Sequence, residues 1–486
     1  MTHLPNGSPA PPGGPAAPTL PAVPPQGRPP HGAPPSPATL PERRSARAEL
    51  TDRLRAASTT EPGRLRIIGA VIAALVVAFG AVTAGQMSER SAAADDVLHR
   101  SAPLAADAAL IYRSLADANT AAASGFLAAD EESPELRRRY QRDMDQAAEK
   151  LSAAAGASRG AGRSATHIAT LNKLLPEYAE RIESARTYNR QGLPLGGAYL
   201  RNANDLMQDK MLPEARKLYE AEKKQLSADY EDAKSYPWAA IALGVVAIGA
   251  LVWAQRRSYR RTNRVFNHGL VVSTAAGVVV LLWLTVGHSV AFSGLSGSYD
   301  DGVRSLHSLN DARISILRAR SNENLTLVSR GAVTTDDNKD AYDEKFNEQM
   351  AALGDAEQGS LGTSLALAKR EGDAGEAPVL KAIESVTEWK KRHKAARAAD
   401  DQGDYEAALD GVIGEDGEME GSTGECFDQA DAELAKAIAH EQADFETAAK
   451  DGRGAMTGLS VGAVVLAVLG AAGAVLGIGR RLSEYR

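Results

Sequence analysis

The chain has 486 residues, of which 44% are hydrophobic and 24% are charged, and its formal net charge is -7 at pH 7. Those averages would suit an ordinary soluble protein of several domains, and the single cysteine, Cys426, excludes an intrachain disulfide. The apolar residues, however, are concentrated in a few long stretches, so the averages conceal the class of protein.

The first 66 residues are predicted to form a disordered tail. Residues 1–41 are dominated by Pro, Gly and Ala and have hardly any large apolar side chain, so they cannot bury enough surface to offset the entropy of ordering the chain. A flexible tail is the simplest interpretation. The alternative is that the PAPPGGP and PPHGAPPSP runs dock as polyproline helix in an aromatic groove.

Four stretches are almost uncharged, and they cover residues 67–85, 238–254, 269–292 and 459–479. A helix of about 20 residues crosses a hydrocarbon core of roughly 30 Å, and a core helix of a soluble protein is rarely so apolar on every face. The sequence therefore predicts an all-α membrane protein with four transmembrane helices. The first is interpreted as a signal anchor, because no cleavage pattern follows it.

Arginines indicate which side of the membrane each segment faces. The net charge is about +4 before the first span, about +5 in the decapeptide QRRSYRRTNR between the second and third spans, and about +2 after the fourth, whereas residues 88–236 and 299–453 carry about -2 and -16. Since Lys and Arg are enriched on cytoplasmic flanks, both termini and the decapeptide are predicted to be cytoplasmic.

This topology divides the chain into nine segments of a multi-pass plasma-membrane protein. They are a disordered cytoplasmic N-terminus (1–66), a transmembrane helix (67–87), a first extracytoplasmic bundle (88–236), a second span (237–254), a cytoplasmic hairpin (255–268), a third span (269–292), a second, acidic extracytoplasmic bundle (293–454), a fourth span (455–479) and a cytoplasmic tail (480–486).

Both outside segments have the apolar spacing of long helices. The stripe of the first is Ile111, Leu115, Asn119, Ala122 and Phe126, and that of the second is Val303, Leu306, Ile314, Leu317 and Val328, with Asn310, Ser321 and Asn324 on or beside it. Helix breakers near 131–134, 156–162 and 191–197, and near 331–337, 372–377 and 411–424, predict four helices in each segment. No loop signal separates the first span from the helix outside it.

Sparse identities suggest that the two halves are copies. YRSLADANTAAAS from Tyr112 aligns with LRARSNENLTLVS from Leu317, LPEYAER aligns with VTEWKKR, and Gln191-Gly192 falls on Gln402-Gly403. The sequence therefore predicts two four-helix-bundle-like sensor domains in tandem duplication. Chance alignment of alanine-rich helices is the alternative.

No motif for catalysis, metal binding or nucleotide binding is found. The nine histidines lack paired ligand spacing, no Gly-rich loop precedes a Lys-Ser/Thr pair, and the acidic 411–424 run lacks the ligand order of a calcium loop, so weak calcium binding there is only an alternative. We expect no enzyme activity, no cofactor and no nucleic-acid partner. The only ionisable candidate at membrane depth for a transport path is His288, which is near the outer end of the third span and can reach the interface. The small residues of the spans are instead expected to pack helices closely, and they are Gly277, Gly458, Gly462, Ala471, Gly473 and Gly477.

Two sets of polar residues are candidate sites. Ligand contacts are predicted at Arg113, Asp117, Asn119, Arg318, Asn322 and Asn324, whose alternative role is to fix the register of packed helices. A docking surface for a cytoplasmic partner is predicted at Arg256, Arg257, Arg260, Arg261 and Arg264, with orientation and lipid contact alone as the alternative.

The four spans, the two outside helical segments, the QRRSYRRTNR hairpin, the Pro-rich start and the TLPERRSARAELTDRLRAAS stretch together resemble the actinobacterial GlnX type of membrane protein. That resemblance implies an amino-acid-sensing relay between an extracytoplasmic binding lipoprotein of the GlnH type and a cytosolic Ser/Thr kinase of the PknG type. It carries over no ligand residues. The alternatives are a direct small-molecule receptor, a transporter or channel subunit, and a structural envelope protein; a homodimer is the expected oligomer.

Overall fold

The computed structural model of the protein describes residues 61–128, 133–157, 163–262, 267–297, 302–372, 374–414 and 419–483. These ranges are almost wholly helical and contain no strand beyond an isolated bridge between Thr334 and Asp340. The all-α prediction is confirmed. Residues 1–60, which include nearly all of the predicted disordered tail, lie outside the described residues.

Fifteen α-helices and two π-helical turns lie wholly within the described part of the chain. In order they are α1 (Glu61–Asp96), the first π-turn (Val97–Ser101), α2 (Ala102–Leu127), α3 (Pro134–Ala157), α4 (Arg163–Asn189), α5 (Leu195–Leu206), the second π-turn (Met207–Met211), α6 (Leu212–Lys234), α7 (Trp238–Thr262), α8 (His268–Gly297), α9 (Arg304–Ser329), α10 (Ala341–Leu353), α11 (Gly359–Glu371), α12 (Glu376–Asp401), α13 (Tyr405–Ile413), α14 (Thr423–Met456) and α15 (Leu459–Ser483).

Four helical segments are long and apolar enough to cross a membrane, and they contain α1, α7, α8 and α15. The protein is therefore a multi-pass membrane protein, as the sequence predicts. The four helices pack on one another, and small residues permit close approach. A Cβ at Gly269 would lie 2.3 Å from the carbonyl oxygen of Gly473, and one at Gly80 would lie 2.1 Å from the Cβ of Ala467. Side chains of any size at these positions would push the spans apart.

The first span continues without a break into the helix that follows it. α1, the first π-turn and α2 follow one another directly, and Pro103 is the second residue of α2. Pro213 has the same place in α6, after the second π-turn. A proline has no N–H, and its ring crowds the carbonyl four residues earlier, so the backbone widens into a π-turn instead of breaking.

The helices outside the spans form two modules, the first from α2 to α6 and the second from α9 to α14. Helices of the first module end at the three predicted breaks. The second module also ends helices at its predicted breaks, but two further turns, after Leu353 and after Asp401, divide it into six helices instead of four. At the first of these, Gly354 has a φ of +73° and leaves no room for a Cβ beside the carbonyl oxygen of Gln358.

The two modules share one hydrophobic core, because α2 of the first packs along α9 of the second. Leu115 and Leu317, from the two predicted stripes, are both 0% exposed in that core. We call this contact of α2 with α9 the seam. The stripes that the sequence assigns to two separate bundles therefore also join the bundles to each other.

Candidate functional site

A polar network crosses the apolar seam at Asn119 of α2. The side-chain amide nitrogen donates to Oγ of Ser321 on α9 (2.7 Å) and to Oδ1 of Asn204 on α5 (3.0 Å), and Oδ1 accepts from the hydroxyl of Tyr178 on α4 (3.2 Å). Asn119 is 3% exposed. Because these bonds can form in only one register, Asn119 fixes how the first module meets α9.

Two more hydrogen bonds join α2 directly to α9. The hydroxyl of Thr120 donates to the carbonyl oxygen of Leu317 (2.7 Å), and the side-chain amide of Asn324 donates to Oγ of Ser124 (2.8 Å). All four positions lie in the seam. Asn119 and Asn324, two of the predicted ligand contacts, are thus held by the opposite module.

Two further candidates, Arg318 and Asn322, form no side-chain hydrogen bond with α2 among the described residues. Nε of Arg318 donates to Oε1 of Gln208, in the second π-turn, at 3.1 Å. Asn322 is 1% exposed, and its Oδ1 has no hydrogen-bond partner within the part of the chain that the structure describes. Arg318 therefore ties α9 to a turn of the first module, whereas Asn322 is buried with an unsatisfied acceptor.

The fifth candidate, Asp117, belongs to an interface charge cluster made of Asp117, Arg139, Arg313, Asp428 and Asp431. Arg139 on α3 contacts Asp117 at 2.9 Å and, across the interface, Asp428 at 3.3 Å and Asp431 at 3.6 Å. Arg313 on α9 donates two hydrogen bonds to Asp431, at 2.5 and 2.9 Å. A bidentate Arg–carboxylate pair adds geometric specificity as well as energy. The cluster therefore aligns the two modules.

The cluster contains more carboxylates than its arginines neutralise. Burial raises the pKa of Asp117 above its ordinary value, and Arg139 offsets this only in part. Burial would also raise the pKa of Asp431, but the hydrogen bond and charge of Arg313 outweigh burial and hold it low. Burial and the neighbouring Asp117 raise the pKa of Asp143 to about 8. A proton therefore stays on Asp143 near neutral pH.

Arg113, the last candidate, lies on α2 one turn before Asp117. It lines a cavity that is separate from the interface charge cluster. This cavity has a volume of about 750 Å³ and is lined by residues of α2, α6, α9, α14 and the first π-turn. We call it the seam cavity. A volume of this size is in the range of small-molecule sites.

A buried ionic network in the second module was not predicted from the sequence. Glu323 on α9 is 1% exposed, and it accepts from Arg320 (2.7 Å), Trp389 (3.0 Å) and Thr423 (3.0 Å) and pairs with Nδ1 of His393 (2.8 Å). Burial would raise the pKa of Glu323, but His393 and Arg320 outweigh it and hold the carboxylate charged. Glu323 lies off the apolar stripe predicted for this helix, so the periodicity of the sequence gives no sign of its burial.

His393 lies between two carboxylates. Its Nε2 is 3.1 Å from Oδ1 of Asp343, and its ring stacks on Phe346 at 3.7 Å. Burial would lower the pKa of His393, but the hydrogen bonds to Asp343 and Glu323 raise it to about 9. The charged ring thereby joins α9, α10 and α12 inside the second module.

The candidate docking arginines are only partly within the described residues. Arg256 and Arg260 are exposed at the end of α7, and Arg257 lies over the ring of Trp253 at 5.5 Å. The side chain of Arg261, and all of Arg264, lie outside the described residues.

No three His, Cys, Asp or Glu side chains of the described ranges are grouped so as to hold a metal ion. Residues 415–418 of the acidic 411–424 run lie outside those ranges. Cys426 is a free thiol on α14 and is 2% exposed.

Residues 93–231 match the model of a family described as an actinobacterial sensor domain. The match runs from the end of α1 through the first π-turn and nearly all of the first module. No curated protein and no solved structure matches the chain significantly. Over these residues the chain is similar to an actinobacterial sensor domain, which supports a role in sensing or signalling. The tandem duplication and the GlnX resemblance stay predictions.

Proposed function

We propose that the protein is a transmembrane signal relay that couples an extracytoplasmic amino-acid-binding lipoprotein to a cytosolic Ser/Thr protein kinase. The observation that carries the proposal is the continuous helix of α1, the first π-turn and α2, which joins a membrane span to the seam. A helix is stiff along its axis, and packed cores switch between discrete arrangements, so a shift of about 1 to 2 Å at the seam reaches the far end of the span.

The distribution of charge supports two docking surfaces. In this proposal both modules face outward, since the arginine-rich flanks mark the cytoplasmic side. The second half of the outside region, residues 299–453, carries about -16 and offers an acidic surface to the lipoprotein. Arg256 and Arg260, exposed at the end of α7, offer a basic surface to the kinase.

The direct test is recovery of both partners with the full-length chain after crosslinking in intact actinobacterial cells. We expect one secreted lipoprotein and one soluble kinase. The double variant Arg256→Gln with Arg260→Gln should lose the kinase and keep the lipoprotein. Arg64→Gln with Arg66→Gln removes the same charge from the flank of α1 and should keep both. Recovery of neither partner with the unmodified chain would overturn the relay, and equal loss of kinase in the two variants would overturn the assigned docking surface.

A further inference from the structure

Arg113 is a half-buried cation without a partner. No side chain of the described residues forms a hydrogen bond or ion pair with its guanidinium, although Asp117 and Asp431 act on it at longer range. Burial, followed by the repulsion of Arg313, lowers the pKa of Arg113 to about 10. The folded protein therefore keeps this charge at an energetic cost, because a desolvated cation is stable only when it is paired.

The seam cavity that Arg113 lines is otherwise balanced in charge. The two other arginine or lysine side chains of its wall are already paired, Lys450 with Glu446 at 3.0 Å and Arg453 with Asp95 at 2.6 Å. The remaining acid of the wall, Asp107, is paired with Lys150 at 2.9 Å. Arg113 therefore leaves one positive charge in the cavity unmatched.

A second polar group of the same wall lacks a partner. His307 on α9 shares a hydrogen bond with the hydroxyl of Tyr219 through Nδ1, while its buried Nε2 has none within the described part of the chain. Burial lowers the pKa of His307 to about 3, so the ring is neutral. When the hydroxyl of Tyr219 donates to Nδ1, the proton of the ring is on Nε2, which is then a free donor.

The rest of the wall is largely apolar. Leu110 comes from α2, Leu226 from α6 and Phe445 from α14, and Leu98 comes from the first π-turn. An occupant would therefore touch both modules and the junction between span and module at once. Cavities that bind small molecules typically combine such an apolar wall with a few polar groups that orient the ligand.

We propose that the seam cavity binds a small organic carboxylate with an apolar body, whose carboxylate pairs with the guanidinium of Arg113. Arginine is suited to this task, because its planar fork matches a carboxylate with two parallel hydrogen bonds. The apolar body packs against Leu110, Leu226 and Phe445. This site adds a ligand input to the proposed relay and does not depend on the docking of either partner.

Such a carboxylate can reach the cavity from water or from the bilayer, and one experiment separates the two sources. The purified full chain, in phosphatidylcholine nanodiscs, is titrated by calorimetry with isovalerate, with octanoate and with the neutral isovaleramide. We expect saturable binding of a carboxylate and none of the amide. Tighter binding of isovalerate indicates a water-borne ligand, and tighter binding of octanoate indicates a lipid-derived one. No saturable binding of either carboxylate overturns the proposal.

Variants then place the binding at Arg113. Arg113→Met should weaken binding of the preferred carboxylate at least about tenfold, Arg113→Lys should weaken it less, and Arg370→Met, which removes an exposed arginine of α11, should leave it unchanged. Without ligand, Arg113→Met should unfold at the same temperature as the unmodified protein or higher, because it removes an unpaired charge. Unchanged affinity in Arg113→Met, or a lower unfolding temperature of its ligand-free form, would show that Arg113 is structural and would overturn the assignment.

Discussion

Asn119 on α2 and Ser321 on α9 share a hydrogen bond of 2.7 Å across 202 residues of sequence. Both side chains are almost fully buried, so water cannot replace either partner if the helices slide. Any other register of α2 against α9 would leave both groups unsatisfied inside an apolar core. The seam therefore favours discrete arrangements over gradual displacement, which is the property that a relay through packed helices needs.

Asn119→Leu tests the contribution of this network. The substitution keeps the branched shape of the side chain but leaves Ser321, Asn204 and Tyr178 without their partner, so we expect a loss of about 2 kcal/mol in unfolding free energy. Thermal unfolding of the full chain in nanodiscs measures it. Asn202→Ala, on an exposed position of α5, is the control and should change stability by less than about 0.5 kcal/mol. Equal effects of the two variants would contradict the role of Asn119.

Local signals explain how much of this fold is predictable from the sequence. Each span is marked by an uncharged run of about 20 residues, and the stripes of α2 and α9 are marked by an apolar repeat of 3.6 residues. Because each of these signals lies within one helix, the spans and the stripes are recognisable in the sequence. The three predicted helix breaks of each module are recognisable from Gly, Pro and clusters of acidic residues. The turn after Leu353 was missed because it interrupts a helical pattern over only a few residues.

The site was less predictable than the fold, because its contacts are distant in sequence. Periodicity shows that Asn119 and Asn324 are buried, but it does not show that each meets the other module. Glu323 lies off the predicted stripe, and its partner His393 is 70 residues away and has no local relation to it. Side-chain pairs of this kind depend on how whole helices dock.

The pH dependence of the second module should follow His393. Its pKa in the folded protein is raised to about 9, above the usual value of about 6.5. The folded state thus binds the proton more tightly than the unfolded chain does, which stabilises the fold by at most about 3 kcal/mol. This stabilisation is fully present below about pH 6.5 and is lost as pH rises through about 9. Unfolding temperatures measured from pH 6 to 10 should fall more steeply for the unmodified chain than for His393→Gln. His99→Gln, an exposed control, should keep the steep fall; a flat profile of the unmodified chain would refute this account.

Asp143→Asn should stabilise the folded protein in alkaline solution, because Asp143 lies beside Asp117 of the interface charge cluster. Because the pKa of Asp143 is raised to about 8, the protonated carboxyl supports the folded state fully below about pH 4, and this support is lost as pH rises through about 8. Asparagine imitates the protonated acid at every pH. At pH 8.5 the variant should unfold several degrees above the unmodified chain. Asp145→Asn, on an exposed neighbouring position, should not. A lower unfolding temperature for Asp143→Asn would show that the charged carboxylate is the stabilising form.

The proposed orientation can be tested with single cysteines, because Cys426 is buried and should not react in the folded protein. Arg370→Cys, in the second module, should react with a membrane-impermeant maleimide on intact cells. Arg256→Cys, at the end of α7, should react only after lysis. The reverse pattern would place the modules in the cytoplasm and would remove the basis for an extracytoplasmic binding partner.

The first π-turn should determine whether a signal from the modules reaches the cytoplasm. Two glycines inserted after Arg100 would make the continuous helix of α1 and α2 flexible, and we expect both partners still to bind while the kinase no longer responds to added amino acid. The same two glycines inserted after Asp355, in the turn between α10 and α11, leave that helix intact and should preserve the response. Substrate phosphorylation in cells measures the response, and recovery of the partners measures binding. If the response survives the insertion after Arg100, the signal does not travel along α1 and α2, and one of the other spans must carry it.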